Sequence, residues 1–201
     1  MLKTVKNMVT VDKRYKSLGR QQFLTAFLMA ALAVGSTFTA SLGHDIMIQE
    51  RIALHNIYIE NMRTARAERN FDGVNANYQE AIALDAGTYE PYYQLAMTFY
   101  DQRKNEQCLS YITENVYTNP EISMDVNYGV FYYLTANCYF ELENHSAAVP
   151  YYRKALEIKP EELSYYRDYC IALARQGNTA EAEAVLQKAM EKGIASDALG
   201  L

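Results

Sequence analysis

The sequence predicts an all-α protein, a solenoid of about four helical hairpins preceded by one transmembrane helix. Two patterns in its 201 residues support this prediction. An ordered set of large and small apolar residues recurs at spacings of 34 or 40 residues, and residues 23–43 contain no charged side chain. Only 4 residues are Pro, which favours long helices because Pro lacks a backbone donor and breaks the helix.

The recurring pattern is clearest at residues 132–160, YYLTANCYFELENHSAAVPYYRKALEIKP, which indicate two short amphipathic helices joined by a polar turn. Large side chains would fill the space between the helices, and small ones would let the backbones cross at about 8–10 Å. The large residues are Tyr132, Tyr139, Tyr152 and Leu156, and the small residues are Ala136, Ala148 and Ala155. Pro160 ends the second helix. One such unit leaves an apolar face uncovered, which predicts further copies.

Three further copies of the pattern begin at Tyr58, Tyr92 and Tyr166, the first being the weakest. The pattern resembles the tetratricopeptide repeat (TPR), whose 34-residue signature combines aromatic and small residues with a final Pro. It departs from the family at Thr135, where Leu is usual. The resemblance implies a TPR domain at 55–201, with repeats near 55–88, 89–122, 129–162 and 163–196. Residues 123–128 are extra and lengthen the connection between the second and third repeats.

The N-terminal residues 1–22 are basic and precede the uncharged run. Residues 1–20 carry six Lys or Arg against one Asp, a charge of +5, whereas the whole chain carries −5. As a helix, residues 23–43 would span about 31 Å, enough for a bilayer core of about 30 Å. Because Lys and Arg favour the cytoplasmic side, we expect a single-pass membrane protein with a cytoplasmic N-terminus and extracytoplasmic repeats.

Two other interpretations of residues 23–43 stay open. The run could be a buried helix of a soluble protein, although its length and basic flank argue against this. It could also be the apolar region of a cleaved signal peptide ending at Ser41-Leu42-Gly43, although the leader before it is long for one. Residues 44–54 continue the helical pattern without Gly or Pro. They predict a stalk helix whose Ile and Met side chains pack against the first repeat.

The sequence contains no pattern typical of catalysis or cofactor binding. A Gly-rich phosphate loop, a nucleophile elbow, a metal motif and paired carboxylates are all missing, so we expect no enzyme activity, cofactor or metal. Cys108 and Cys170 occupy small-residue positions of the repeat, which predicts buried free thiols that pack as small apolar groups. The acidic remainder of the chain argues against a nucleic-acid partner, since binding phosphates needs clustered Lys and Arg.

The TPR resemblance implies a peptide-binding groove lined by the first helix of each repeat. Its residues are Arg63, Arg66, Tyr93, Met97, Tyr100, Tyr133, Asn137, Phe140, Arg167, Ile171 and Arg175. They form an aromatic strip with Arg at both ends, and Tyr and Arg are favoured anchors of interfaces. In this interpretation Tyr133 touches little of the core; the alternative is that the rings pack on neighbouring helices. The Lys clamp of chaperone-binding TPR domains is missing, because Tyr93 and Tyr133 hold its expected Lys positions.

These observations favour a membrane-anchored scaffold that binds protein or peptide partners in the groove. A second, weaker resemblance is to bacterial transmembrane Ser/Thr kinases, in which a basic segment, one span and TPR units follow the catalytic domain. It implies the anchor and sensor portion of a kinase whose catalytic domain is absent from this chain. Residues 194–201 are too few for a capping helix, which predicts that a homo-oligomer covers the last repeat or that the chain is a fragment.

Overall fold

The computed structural model of the chain describes residues 39–85, 87–122 and 128–192. All regular secondary structure in these ranges is α-helical, which confirms the all-α prediction. The eight helices are α1 Thr39–Ala67, α2 Phe71–Leu84, α3 Glu90–Asp101, α4 Asn105–Asn115, α5 Tyr128–Glu141, α6 His145–Ile158, α7 Leu163–Gln176 and α8 Thr179–Glu191. Tertiary contacts run mainly between helices that follow one another in the chain, as in a solenoid of helical hairpins.

Several sequence predictions fall on residues that the structure does not describe. The basic segment 1–22, residues 23–38 of the predicted membrane span and the tail 194–201 lie outside the described ranges. Among the helices that the structure describes, none is both long and apolar enough to cross a bilayer. The span, the topology and the covering of the last repeat therefore stay predictions.

The chain forms two compact units, Met1–Leu54 and His55–Leu201, and α1 contributes to both. Three apolar side chains of α1 in the first unit are 50%, 41% and 49% exposed, namely Met47, Ile48 and Ile52. The expectation that the stalk's Ile and Met pack against the first repeat stays a prediction. In the second unit Met62 of α1 is fully buried, because it shares a core cluster with Val74 of α2.

The four hairpins turn in the same way. One residue in the left-handed conformation follows each first helix, with φ of 57°, 61°, 59° and 86° for Arg69, Arg103, Glu143 and Gly177. Intervals of 34, 40 and 34 residues separate them, the spacings at which the sequence pattern recurs. In every turn the next backbone N–H donates to the carbonyl five residues earlier. This Schellman arrangement satisfies the helix end, so the hairpins are equivalent units.

Small residues lie in the packed interior, as the sequence predicts. Ala136 on α5 and Ala148 on α6 are fully buried and share one core cluster. All three Cys are free and buried. The Cys108 thiol donates to the carbonyl oxygen of Ala96 at 3.2 Å. The prediction that Cys108 and Cys170 are buried free thiols is confirmed.

Thr135, which departs from the family pattern, has a specific partner. Its side chain is buried, and its Oγ1 lies 2.9 Å from the hydroxyl oxygen of Tyr117. Burial raises the pKa of Tyr117, so this hydroxyl stays protonated and can donate. A buried hydroxyl without a hydrogen bond is unfavourable, and here each group satisfies the other. Thr in place of Leu thus links α5 to the segment that follows α4.

Candidate functional site

A cleft of about 330 Å³ opens between the second, third and fourth hairpins. Ligand pockets typically have volumes of about 300–1,000 Å³, so the cleft lies at the lower end of that range. Its lining residues, from α3, α5, α6 and α7, are Tyr100, Tyr133, Asn137, Phe140, Glu141, Tyr152, Arg167, Asp168 and Ile171. Six of them belong to the predicted groove. Sequence reasoning missed Glu141, Tyr152 and Asp168.

The three missed residues carry only weak signals in the sequence. Glu141 and Asp168 directly follow predicted groove residues on α5 and α7. Neighbours on a helix point about 100° apart, so the periodicity alone assigns them to a different face. Tyr152 lies on the second helix of its hairpin, where the pattern places aromatic rings in the core. Its ring is indeed buried, but the hydroxyl reaches the cleft.

Tyr133 packs against the fourth hairpin. Its ring stacks on that of Tyr165, with centroids 4.1 Å apart and an interplanar angle of 23°, and its hydroxyl donates to Oδ2 of Asp168. Burial, together with the hydrogen bond and negative charge of Asp168, raises the pKa of Tyr133 to about 12. The expectation that Tyr133 touches little of the core is therefore wrong, because α7 brings Tyr165 and Asp168 against it. The Tyr133 ring thus packs on a neighbouring helix and also lines the cleft.

Hydrogen bonds between polar side chains of the cleft connect α5 to both α6 and α7. The Tyr152 hydroxyl of α6 donates to Oδ1 of Asn137 on α5 at 2.7 Å. Tyr133 in turn donates to Oδ2 of Asp168. The other carboxylate oxygen of Asp168 accepts from Nε of Arg167 at 2.8 Å. This network joins α5, α6 and α7 and holds the polar groups of the cleft in place.

The two arginines predicted at the first end of the groove already have partners within the protein. Arg63 pairs with Glu90 at 2.8 Å, and Arg66 pairs with Asp101 at 3.2 Å. Burial alone would raise the pKa of Glu90, but hydrogen bonds from Gln94 and Arg63 hold it below its usual value. Both ion pairs join α1 to α3. These arginines therefore contribute to the packing of one repeat on the next.

The arginines at the other end are less engaged. Arg167 and Arg175 lie about two turns apart on α7, with Ile171 between them. Arg167 bonds Asp168 through Nε. Arg175 is exposed, and the structure gives it no hydrogen-bond or ion-pair partner among the described residues. Positive charge that the protein itself leaves available therefore lies on α7.

The remaining predicted residues, Tyr93 and Met97 of α3, do not line the cleft. Both are partly buried against the core, and the Tyr93 ring meets Phe131 edge to face at a centroid distance of 5.9 Å. Within the described ranges no group of His, Cys, Asp and Glu is arranged to hold a metal ion. The site is thus an aromatic and polar cleft on a stack of helical hairpins, an arrangement typical of repeat proteins that bind other proteins.

Residues 130–162 match the family model described as tetratricopeptide repeat. These residues form a tetratricopeptide repeat, and the described part of the chain has the fold of TPR proteins. No curated protein matches the chain. The weaker resemblance to transmembrane kinases finds no support in these comparisons.

Solved structures of TPR-type solenoids resemble the chain in fold. The crystal structure of MamA matches with a TM-score of 0.56 and 20% identity, covering 69% of this chain and 78% of that one. MamA residues 41-end from Desulfovibrio magneticus RS-1 match with a TM-score of 0.55 and 15% identity, covering 87% and 96%. YrrB, described as a TPR protein with an unusual peptide-binding site, matches with a TM-score of 0.53 and 18% identity, covering 67% and 66%. At these identities the likeness concerns the fold alone.

Proposed function

We propose that this chain is a non-catalytic scaffold that binds a protein or peptide segment in the groove formed by the first helices of its repeats. The cleft carries the proposal. It draws side chains from three successive hairpins, so a segment lying along the groove would contact all three at once. Its aromatic rings provide contact area with little conformational freedom to lose. The peptide-binding site named for YrrB, a protein of similar fold, supports the same assignment.

Selection of random displayed peptides on the full-length chain tests the proposal. Ile171→Trp places a large ring in the cleft from a partly buried position on α7 and leaves the charge unchanged. Peptides selected on the parent should bind this variant at least tenfold more weakly, since a filled cleft excludes the side chain that it would hold. Thr113→Trp at an exposed position of α4 adds the same ring away from the cleft and should leave affinity unchanged. Equal binding to both variants would contradict the proposal.

We also propose that residues 23–43 anchor the chain in a membrane, with the N-terminus cytoplasmic and the repeats outside. The uncharged run and the +5 charge before it support this topology. In intact cells, external protease should remove the repeats and spare an N-terminal tag. Full protection of the repeats, with cleavage only after the cells are lysed, would contradict it.

Self-association through the last hairpin is a further proposal. Ala189 is the one buried residue of α8, whereas α6 buries Ala148, Val149, Tyr152 and Ala155. Met190 of α8 is 52% exposed and lines a shallow surface depression together with Glu183 and Glu191. Light scattering on the purified chain should give the mass of an oligomer, and Met190→Glu should shift it towards the 23.0 kDa monomer. A monomer mass for the parent would rule the proposal out.

A further inference from the structure

The groove contains more internal ion pairs than the sequence pattern indicates. Besides the pairs that join α1 to α3, Arg103 in the turn after α3 pairs with Oε2 of Glu141 at 2.7 Å. Glu141 is one of the two carboxylates that line the cleft. Its charge is therefore compensated before any ligand arrives.

The hydrogen-bond acceptors of the cleft are largely in use. Both carboxylate oxygens of Asp168 have donors, Tyr133 on Oδ2 and Nε of Arg167 on Oδ1. The Asn137 carbonyl oxygen accepts from Tyr152. Each of these three acceptor atoms thus already has one donor within the protein.

One donor group of the cleft, the Arg167 guanidinium, is in the opposite situation. Arg167 uses Nε for Asp168, and among the described residues the structure records no partner for its two terminal nitrogens. The two terminal nitrogens form one edge of the planar guanidinium, which can donate two parallel hydrogen bonds to a carboxylate. Because Asp168 fixes the Nε position, less side-chain freedom remains to be lost when that edge binds a ligand. The Arg167 side chain is 46% exposed, so a ligand can reach it.

We propose that the cleft recognises an acidic residue of the bound segment, an Asp or Glu whose carboxylate takes the free edge of Arg167. This inference rests on the proposed peptide-binding function and names the chemistry that the same site selects. Tyr100, Phe140 and Ile171 supply the rest of the wall and accommodate an apolar side chain next to the acidic one. Arg175, two turns along α7, favours further negative charge towards the C-terminal end of that helix.

The experiment uses peptides selected on the full-length chain, resynthesised with amidated C-termini so that a terminal carboxylate cannot substitute for the side chain. Each acidic residue is replaced in turn by its neutral amide, and dissociation constants are measured by fluorescence polarisation. One neutral replacement should weaken binding to the parent by about tenfold or more, the usual effect of losing a charge-assisted hydrogen bond. Against Arg167→Gln the acidic and neutral peptides should bind equally, because the group that distinguishes them is gone.

Arg153→Gln is the matched control. Arg153 is 54% exposed, compared with 46% for Arg167, and also pairs with a carboxylate, that of Glu181. It lines a separate cleft between α6, α7 and α8. The control should keep the full difference between acidic and neutral peptides. A matching melting temperature for the parent and both Gln variants establishes that the comparison concerns binding and not folding.

Two results would overturn the inference in distinguishable ways. In the first result, the selected peptides bind Ile171→Trp more weakly but show no preference for an acidic residue. The same holds if the neutral replacement weakens binding equally for the parent and for Arg167→Gln. Either outcome refutes acidic recognition and leaves the proposed function intact. If no peptide shows sensitivity to Ile171→Trp, the peptide-binding function itself fails, and acidic recognition fails with it.

Discussion

Replacing Tyr133 by Ala tests whether this ring belongs to the packing of the repeats. The change removes the ring stacked on Tyr165, an interaction worth about 0.5–1.5 kcal/mol beyond burial. It also removes the hydrogen bond to the charged Asp168, worth about 1.5–3 kcal/mol when buried and less here, because Tyr133 is only partly buried. Truncation of a fully buried aromatic ring costs about 3–5 kcal/mol. We therefore expect a loss near the lower bound, about 3 kcal/mol.

The assay is thermal unfolding of the full-length chain followed by far-UV circular dichroism. A loss of about 3 kcal/mol should lower the melting temperature by about 6–12 °C for a domain of this size. Tyr133→Phe is the control, because it keeps the stacked ring and removes only the hydroxyl; it should lose about 1 kcal/mol. If the free energy of unfolding of Tyr133→Ala lies within about 0.5 kcal/mol of the parent value, as for ordinary surface substitutions, the ring is not part of the core and the reasoning fails.

Three further predictions concern the packing and turns of the repeats. Ala148→Leu adds three carbons at a fully buried position and should destabilise the domain by about 1–3 kcal/mol. A melting temperature equal to that of the parent would show that the space around Ala148 can accommodate the larger side chain. Gly177→Ala should lower the free energy of unfolding by about 1–2 kcal/mol, because Gly177 has a φ of 86°, which strains a residue with a Cβ. An added Cβ would meet no atom within 4 Å, so a steric clash is not the cause. An unchanged denaturation midpoint would contradict this prediction. Cys108, Cys138 and Cys170 are buried and free, and burial raises the pKa of Cys170 to about 11, so all three should resist iodoacetamide until the chain is denatured. Rapid alkylation of the folded protein, detected by mass spectrometry, would refute that burial.

The candidate site was predictable to the extent that it follows the repeat period. Positions equivalent between repeats must lie on equivalent faces of stacked helices, so six of the cleft residues could be chosen from spacing and the family resemblance alone. The partners of those residues could not be chosen in the same way. Tyr133 and Asp168, or Arg103 and Glu141, are 35 and 38 residues apart in the chain, and each contact depends on the rotation of one hairpin against the next.

The sequence by itself determined the helical hairpins, their turns and the small buried residues, because these depend on local spacing, on backbone conformation and on side-chain size. It did not determine which groove residues are available to a ligand. Arg63 and Tyr133 are residue types that are common in binding surfaces. Yet Arg63 forms an ion pair with Glu90, and Tyr133 stacks on Tyr165 and donates a hydrogen bond to Asp168. Charge and aromatic character are properties of a residue, whereas an unused hydrogen-bond donor is a property of its surroundings. Only the tertiary structure could therefore separate Arg167, whose terminal nitrogens lack a partner among the described residues, from the arginines that join repeats.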